Sequence, residues 1–410
     1  MDLQRRLNPR RTRPTTTVQE FNTVSSPTGP KLTEPELTEP EPDIESFERS
    51  ATAWIEAHAH DAPPDYGAIL PPHLVDRGLA WQRLLFSHGW AGIDWPTAHG
   101  GRGLTPAHRA AWVRQCALAG VPPFINMVGI VLAGGSTLLF GTEAQKSAHL
   151  RNTLAAEHVW CQLFSEPGAG SDLAALSTKA VRDGDEFIVN GQKVWCSGGR
   201  YSNWGILVAR TDTDAPRHKG LSFFLFDMTL PGVTVRPLKQ MTGEAEFDEV
   251  FFDDVRMPAS ALLGPLNEGW RVAMATLTNE RGSIGTAAIG LGRRVDRLID
   301  ELRVGGDVSA IERDALASLV VRGRALTMLG SRQGPVASTA ASLLKLGITE
   351  LSFDTAELRS SLSGAHAMLD TDDATRSLLA APGGRIAGGT SQIQRNLIGE
   401  RLLGLPGEPR

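Results

Sequence analysis

The sequence predicts an α+β protein, with a helical N-terminal region, a middle antiparallel β-region and a helical C-terminal region. Three observations carry this expectation. Apolar residues recur three and four apart between Ile44 and about Ala155, and again after Gly264, as one buried helix face requires. Between His158 and Leu263 the pattern changes to short β-branched and aromatic runs, punctuated by Asp183-Gly184 and Asn190-Gly191, which are two-residue hairpin signals. The two element types are segregated rather than alternating, so a dinucleotide-binding α/β sheet is disfavoured.

The first 43 residues stand apart. Five arginines lie within residues 5–13, seven prolines between Pro9 and Pro42, and the pentapeptide beginning at Leu32 is repeated from Leu37. Such a stretch buries too little apolar area to offset its ordering entropy, so residues 1–43 are expected to be a disordered tail. Its Arg- and Thr-rich start resembles an organelle-targeting segment, but Pro9 and Pro14 spoil the amphipathic helix such a signal uses. A dispensable extension is the reading adopted.

Helices are expected over Phe47–His58, Leu74–His88, Ala107–Ala119 and Glu143–Leu154, making residues 44–155 a helical domain. Val121–Met127, with its Pro122-Pro123 pair, should interrupt a helix; a plain helix-start proline pair is the alternative. Strands are expected at Ser177–Val181, Glu186–Val189, Lys193–Cys196, Trp204–Arg210, Leu221–Phe226, Val233–Pro237 and Glu249–Phe252. They make residues 156–264 a small antiparallel barrel or sandwich. A long helix from about Glu268 to Leu302, then Ala310–Leu329, Val336–Ser360 and Gln392–Leu403, make residues 265–405 helical again.

Composition narrows the function. The 410 residues are 41% hydrophobic and 21% charged, with a net charge of −5, which suits a folded protein and argues against a nucleic-acid-binding surface. No run approaches the roughly 18–20 apolar residues of a membrane helix. Cys116, Cys161 and Cys196 form no C-x-x-C, and His58 and His60 point to different faces of a helix. A disulfide framework and a metal site are therefore not expected, and a reducing cytoplasm fits.

Two segments carry chemistry. In Trp160-Cys-Gln-Leu-Phe-Ser-Glu-Pro-Gly-Ala-Gly-Ser-Asp172, Gly168 and Gly170 allow backbone N–H groups to approach a ligand, and Ser165 and Ser171 add hydroxyls. Leu173 stands where a Rossmann fingerprint has its third glycine, as Val295 does after Gly290-Leu-Gly292. In Asn190-Gly-Gln-Lys-Val-Trp-Cys-Ser-Gly-Gly199, a hairpin would deliver Trp195 and Ser197 to one face, an indole and a hydroxyl able to flank a planar ring. Read alone, each segment also suits a plain turn or a half-buried core tryptophan.

Together these segments resemble the acyl-CoA dehydrogenases. So do Gly89-Trp-Ala-Gly-Ile-Asp-Trp-Pro96, Gly100-Gly-Arg-Gly103, Gly141-Thr-Glu-Ala-Gln-Lys146, Glu249-Val-Phe-Phe-Asp-Asp-Val-Arg-Met-Pro258, Asn279-Glu-Arg281 and Gly388-Gly-Thr-Ser-Gln-Ile-Gln-Arg395. The resemblance implies that family's fold, with a C-terminal four-helix bundle, and FAD-dependent α,β-dehydrogenation of an acyl-CoA thioester. Gln162, Phe164, Ser165, Gly170 and Ser171 would then lie along flavin and thioester. Trp195 and Ser197 would meet the isoalloxazine ring, and Gly389, Thr390 and Gln392 would reach the cofactor. Ser171 and Arg281 would contact substrate.

Many members place the catalytic base directly before the C-terminal Gly-Thr motif, where this sequence has Gly388. Others carry it on the long helix after the β-region, before an arginine, and Glu280-Arg281 stand there. A helix is a precise platform for a base, and a low-dielectric pocket raises a carboxylate's pKa toward the working range. Gly282, Ser283 and Gly285 keep the surrounding surface small.

Two family features are missing. Leu302–Ser309 replaces the Arg-x-x-Phe-Gly segment, and Ser360–Ala365 the Gln-x-x-Gly-Gly motif, both associated with the adenosine half of FAD. This pattern is closest to the steroid-side-chain members, in which two different chains share each FAD. The expected partners are an acyl-CoA, an electron-transfer flavoprotein, and either further copies of this chain or a homologous subunit. A structural, FAD-sharing subunit and an acyl-CoA oxidase are the alternative functions.

Overall fold

The computed structural model describes residues 42–64, 66, 69–281, 284–305, 308–330, 335–369 and 373–407. Of the expected tail, only Pro42 and Asp43 fall among them. Asp43 caps helix α1 (Ile44–His58): its carboxylate accepts the Ser46 N–H at 2.9 Å. Phe47, Ala51 and Ile55, each four residues apart, form the buried face of α1. They meet α2 (Val75–Ser87) and α3 (Pro106–Ala119) around Trp81, Trp90 and Trp112.

Helix α3 ends at Gly120 in left-handed conformation, and residues 121–127 lead to a π-helical stretch, Val128–Gly134, which continues as α4 (Gly135–Phe140). Val121–Met127 thus separates two helices, and neither proline begins one. The Pro122 and Pro123 carbonyls instead accept the indole N–H groups of Trp81 and Trp112, at 2.9 and 3.2 Å. Helix α5 (Glu143–Leu154) opens on a capping box made by Thr142 and Gln145. The Gln145 amide also donates to the Ser260 and Leu262 carbonyls, both at 2.9 Å, which fastens α5 to the end of the β-region.

The sheet has seven strands: β1 (Trp160–Leu163), β2 (Lys179–Asp183), β3 (Glu186–Ser197), β4 (Trp204–Arg210), β5 (Leu221–Asp227), β6 (Val233–Leu238) and β7 (Phe247–Pro258). Its order is β1-β4-β2-β3-β7-β6, with β5 on β4. Pairing is antiparallel except for β1 with β4 and a single β2–β4 pair, which are parallel. β1 was not expected as a strand. Its four residues are too few to show a period, and the tertiary pairing with β4 decides their conformation.

The two hairpin signals part company. The chain turns after Asp183, so that β2 and β3 pair as a hairpin. Asn190-Gly191 does not turn. It lies inside a single 12-residue strand, at a register shift against β7. The Asn190 side chain exchanges two 2.9 Å bonds with Asp254, and a Cβ on Gly191 would stand 2.5 Å from Thr178 Oγ1. Pairing with β2 on one side and β7 on the other overrides local turn propensity.

The helix expected over 268–302 is described as α6 (Gly269–Arg281) and α7 (Ile284–Gly305); Gly282 and Ser283 lie outside the described residues. α7, α8 (Ala310–Gly330), α9 (Pro335–Leu362) and α10 (Asp373–Ile386) pack as a bundle around Leu291, Val295, Leu319, Leu344 and Leu351. Helix α10 was not foreseen, because it contains Pro382. Arg293 of α7 donates to the Ala117 carbonyl at 2.6 Å, joining the bundle to α3. The last helix, α11 (Ser391–Leu397), packs on α9 and continues into a π-helical turn. No described helix is long and apolar enough to cross a membrane, and no described His, Cys, Asp and Glu residues form a metal-binding group.

Candidate active site

β1 delivers Gln162 and, just past its end, Phe164 and Ser165. Phe164 is buried, edge-to-face on Phe223, in an apolar cluster with Val128, Leu132 and Ala133 of the π-helical stretch. The chain then turns through Glu166–Ala169, whose backbones exchange two 3.0 Å hydrogen bonds. Gly168, Gly170 and Ser171 are exposed, and no atom lies within 4 Å of where a Cβ on either glycine would stand. Open backbone of this kind suits close approach of a ligand.

Trp195 reaches the same neighbourhood by a bulge, not by a hairpin. Between Lys193 and Cys196, β3 carries one residue more than β7, and Trp195 takes a left-handed φ of +62°. The bulge breaks the alternation: Lys193, Val194 and Cys196 are all buried while Trp195 is 55% exposed. Its ring stands edge-on to Phe247, and Ser197, half-buried, pairs with Phe247 in the sheet. The Val194 N–H donates to the Ser165 carbonyl at 2.9 Å, so the two segments singled out in the sequence are physically joined.

Beneath this junction is an ion pair that the motif reading passed over. Lys193 Nζ lies 2.9 Å from Glu166 Oε1 and donates to the Phe164 carbonyl, also at 2.9 Å; both side chains are buried. Glu166 further accepts from the Ser177 N–H and hydroxyl and from the Thr178 N–H. Burial pushes its carboxyl up, but the Lys193 charge and these donors prevail and hold it down at about 2. Burial lowers the Lys193 ammonium, and Glu166 opposes that. The sequence did hold a signal: Val189, Gly191 and Lys193 share strand parity, which puts a lysine on the inward face. Asp248, buried, accepts the Arg200 N–H at 2.9 Å and pairs with its guanidinium, supporting the turn after Ser197. Burial pushes the Cys161 thiol up to about 12 and Cys196 in the same direction, so neither supplies a thiolate.

Glu280 and Arg281 are the final described residues of α6; their side chains lie outside the described residues. One turn earlier, about 6 Å along the axis, Thr276 is buried and meets Ser136 of α4 at 2.6 Å. α6 also shares the apolar cluster of Phe164 through Val272, Ala273 and Leu277. The C-terminal motif is separate. Thr390 caps α11, and Gly389 adopts φ +90°. Gln392 is exposed, whereas Gln394 is the buried glutamine, donating to the Gly388 carbonyl at 3.2 Å. Among the described residues, no hydrogen bond joins 388–392 to 162–171 or 195–198.

The fold is therefore a helical region, a sheet and a helical bundle, with open glycine backbone and an exposed tryptophan on two joined segments of the sheet region. Comparison with known proteins makes this specific. The acyl-CoA dehydrogenase N-terminal, middle and C-terminal domains match residues 44–157, 161–255 and 307–403. Acyl-CoA dehydrogenase IpdE1 of Mycobacterium tuberculosis is 36% identical over 386 residues, 90% of this chain and 99% of that protein. The Tcur3481-Tcur3483 steroid ACAD structure superposes with a TM-score of 0.76 at 25% identity, covering 90% of this chain and 99% of that one. The ChsE4-ChsE5 complex of Mycobacterium tuberculosis gives a TM-score of 0.73 at 26% identity, with the same coverages. The chain belongs to the acyl-CoA dehydrogenase family, whose members generally use FAD, and it is an oxidoreductase acting on acyl-CoA.

Proposed function

We propose that this chain catalyses FAD-dependent α,β-dehydrogenation of an acyl-CoA to the trans-2-enoyl-CoA, with Glu280 as the base. The carrying observation is the placement of Glu280, one helical turn past Thr276 on the helix that the buried Ser136 contact fastens to α4. The open backbone at Gly168 and Gly170 and the exposed Trp195 ring, on segments joined through Val194 and Ser165, support a flavin site there. When bound, FAD supplies a hydride acceptor at N5 for the β-hydrogen. Gln162, Phe164, Ser165, Gly170 and Ser171 would bind along flavin and thioester, Trp195 and Ser197 would orient the ring, and Gly389, Thr390 and Gln392 would reach the cofactor. Glu280 takes the α-proton, and Arg281 and Ser171 hold the thioester. Val128, Leu132 and Leu277, which share one apolar cluster, would keep water from that end of α6.

The family's adenosine-side motifs are absent from Leu302–Ser309 and Ser360–Ala365, and the similar structures named above are complexes of two different chains. Both points support a homologous subunit completing the FAD site, with an electron-transfer flavoprotein as oxidant. The steroid ACAD likeness favours a bulky acyl group. The three cysteines are free, buried thiols, which suits a reducing cytoplasm.

Glu280→Gln tests the reading, assayed with an artificial electron acceptor on linear, branched and steroid acyl-CoAs. A general base is worth about 10²–10⁴-fold, so turnover should fall by that factor with FAD content unchanged. Undiminished turnover would remove Glu280 from the mechanism and favour a structural, FAD-sharing role. Rapid reoxidation of the reduced enzyme by oxygen alone would favour an oxidase.

A further inference from the structure

We propose that the buried Glu166–Lys193 pair is a positioning device for the flavin site: it clamps the backbone that forces Trp195 outward. This rests on the functional reading above. It assigns a role to two residues that would touch neither substrate nor cofactor.

Taking a lysine and a carboxylate out of water is costly for each ion, and apolar replacements of similar volume are often no less stable. Lys193 has no exposed side-chain surface and Glu166 only 5%, so the pair gains little over a packed core. Stability alone does not account for it.

The two side chains bond to backbone at three places, on the segments that lead to the glycine turn and to Trp195. Lys193 Nζ holds the Phe164 carbonyl at the end of β1. Glu166 sits in the turn that presents Gly168 and Gly170, and its two oxygens hold the N–H groups of Ser177 and Thr178, just before β2. Lys193 itself is the last regularly paired residue before the bulge.

A tryptophan at φ +62° is strained, and it persists only where the surroundings over-determine it. Lys193 fixes one end of the bulge, and the Val194 N–H to Ser165 carbonyl bond fixes its middle to the strand end that Lys193 also grips. An apolar residue at 193 would fill the volume and hold none of these atoms.

The test uses the full-length chain carrying Lys193→Met with Glu166→Gln, so that no unpaired charge is buried. A second variant, Ser177→Ala, removes one exposed donor to Glu166 and leaves the pair in place. Two quantities are read: amide hydrogen exchange of the cofactor-free chain, and the affinity and visible spectrum of bound FAD. The double variant should keep thermal stability near that of the parent. It should exchange faster at residues 164–172 and 193–199 alone, bind FAD at least tenfold more weakly, and show an altered flavin band. Ser177→Ala should move the same readouts in the same direction by less.

Parent-like exchange at 193–199 together with parent-like FAD affinity and band shape, in either folded variant, would overturn the clamp. A double variant that cannot fold leaves the decision to Ser177→Ala. If the parent, alone or co-expressed with a homologous acyl-CoA dehydrogenase subunit, takes up no FAD, the functional reading fails. Hydrogen exchange in the cofactor-free variants still decides the clamp.

Discussion

Ser136 Oγ and Thr276 Oγ1 lie 2.6 Å apart in a buried contact that spans 140 residues of sequence. Thr276 spends its single proton on the Val272 carbonyl at 2.8 Å, so Ser136 is the donor and Thr276 the acceptor. This contact links α4 to the helix that carries Glu280-Arg281, one turn before Glu280.

The donor assignment predicts an asymmetry. Thr276→Val leaves the Ser136 hydroxyl buried without an acceptor, which costs about 1–3 kcal/mol, whereas Ser136→Ala should cost only about 0.5–1.5 kcal/mol. Ser136→Ala with Thr276→Val together should be milder than Thr276→Val alone. Urea denaturation of the three variants measures this. A Thr276→Val no worse than Ser136→Ala would reverse the donor assignment.

The other end of α6 makes a sharper prediction. A Cβ at Gly269 would stand 2.3 Å from the Ser222 carbonyl carbon and 2.6 Å from the Phe223 nitrogen, both backbone atoms of β5. Neither can move as a side-chain tip would. Gly269→Ala should therefore cost at least about 1–3 kcal/mol, the usual range for overpacking, and displace α6 enough to lower turnover. A variant with parent-like melting temperature and turnover would show that the helix start yields freely.

Stability should also depend on pH through His149. Its ring is buried against Trp204 and Trp160, with Nδ1 3.3 Å from Nδ1 of His158. Burial first, and His158 second, lower its pKa from 6.5 to about 4. Burial also lowers His158, against the pull of Glu157 and Asp227. Between pH 6.5 and 4 the unfolded chain binds a proton at His149 that the folded chain refuses, so stability rises with pH there. The contribution is complete above 6.5 and is lost as pH falls toward 4, on the order of 3 kcal/mol for His149. Glu166 adds a lower window, because its depressed carboxyl loses its stabilising effect as pH falls from 4.5 toward 2. His149→Phe should flatten the upper window in denaturant titrations at pH 7.5, 6 and 5. An unchanged slope would place the acid sensitivity elsewhere.

Much of the architecture was legible because it is written in local periodicity. The apolar spacing at Phe47, Ala51 and Ile55 marks α1, and the β-branched and aromatic runs at Trp204–Arg210 and Leu221–Phe226 mark two strands, the first with the observed ends and the second one residue short. What failed was pairing. Asn190-Gly191 carries the local signature of a turn and is held in a strand by partners on both sides. β1 is visible only through β4, and Pro382 hides α10. In the site, the motifs located the glycine turn and Trp195 but misstated how Trp195 is presented, because a bulge depends on the register of another strand.

By itself, the sequence determined the order of helical, sheet and helical regions, the glycine turn at 166–171, and the placement of Glu280 on the helix that follows the β-region. These follow from short-range sterics and apolar spacing, which a linear pattern records. Tertiary structure alone decided that Glu166 and Lys193 meet, that Trp195 is turned outward, and that Ser136 is bonded to Thr276. Each of these requires side chains distant in sequence to be desolvated together, and the free energy of that contact belongs to the assembled fold.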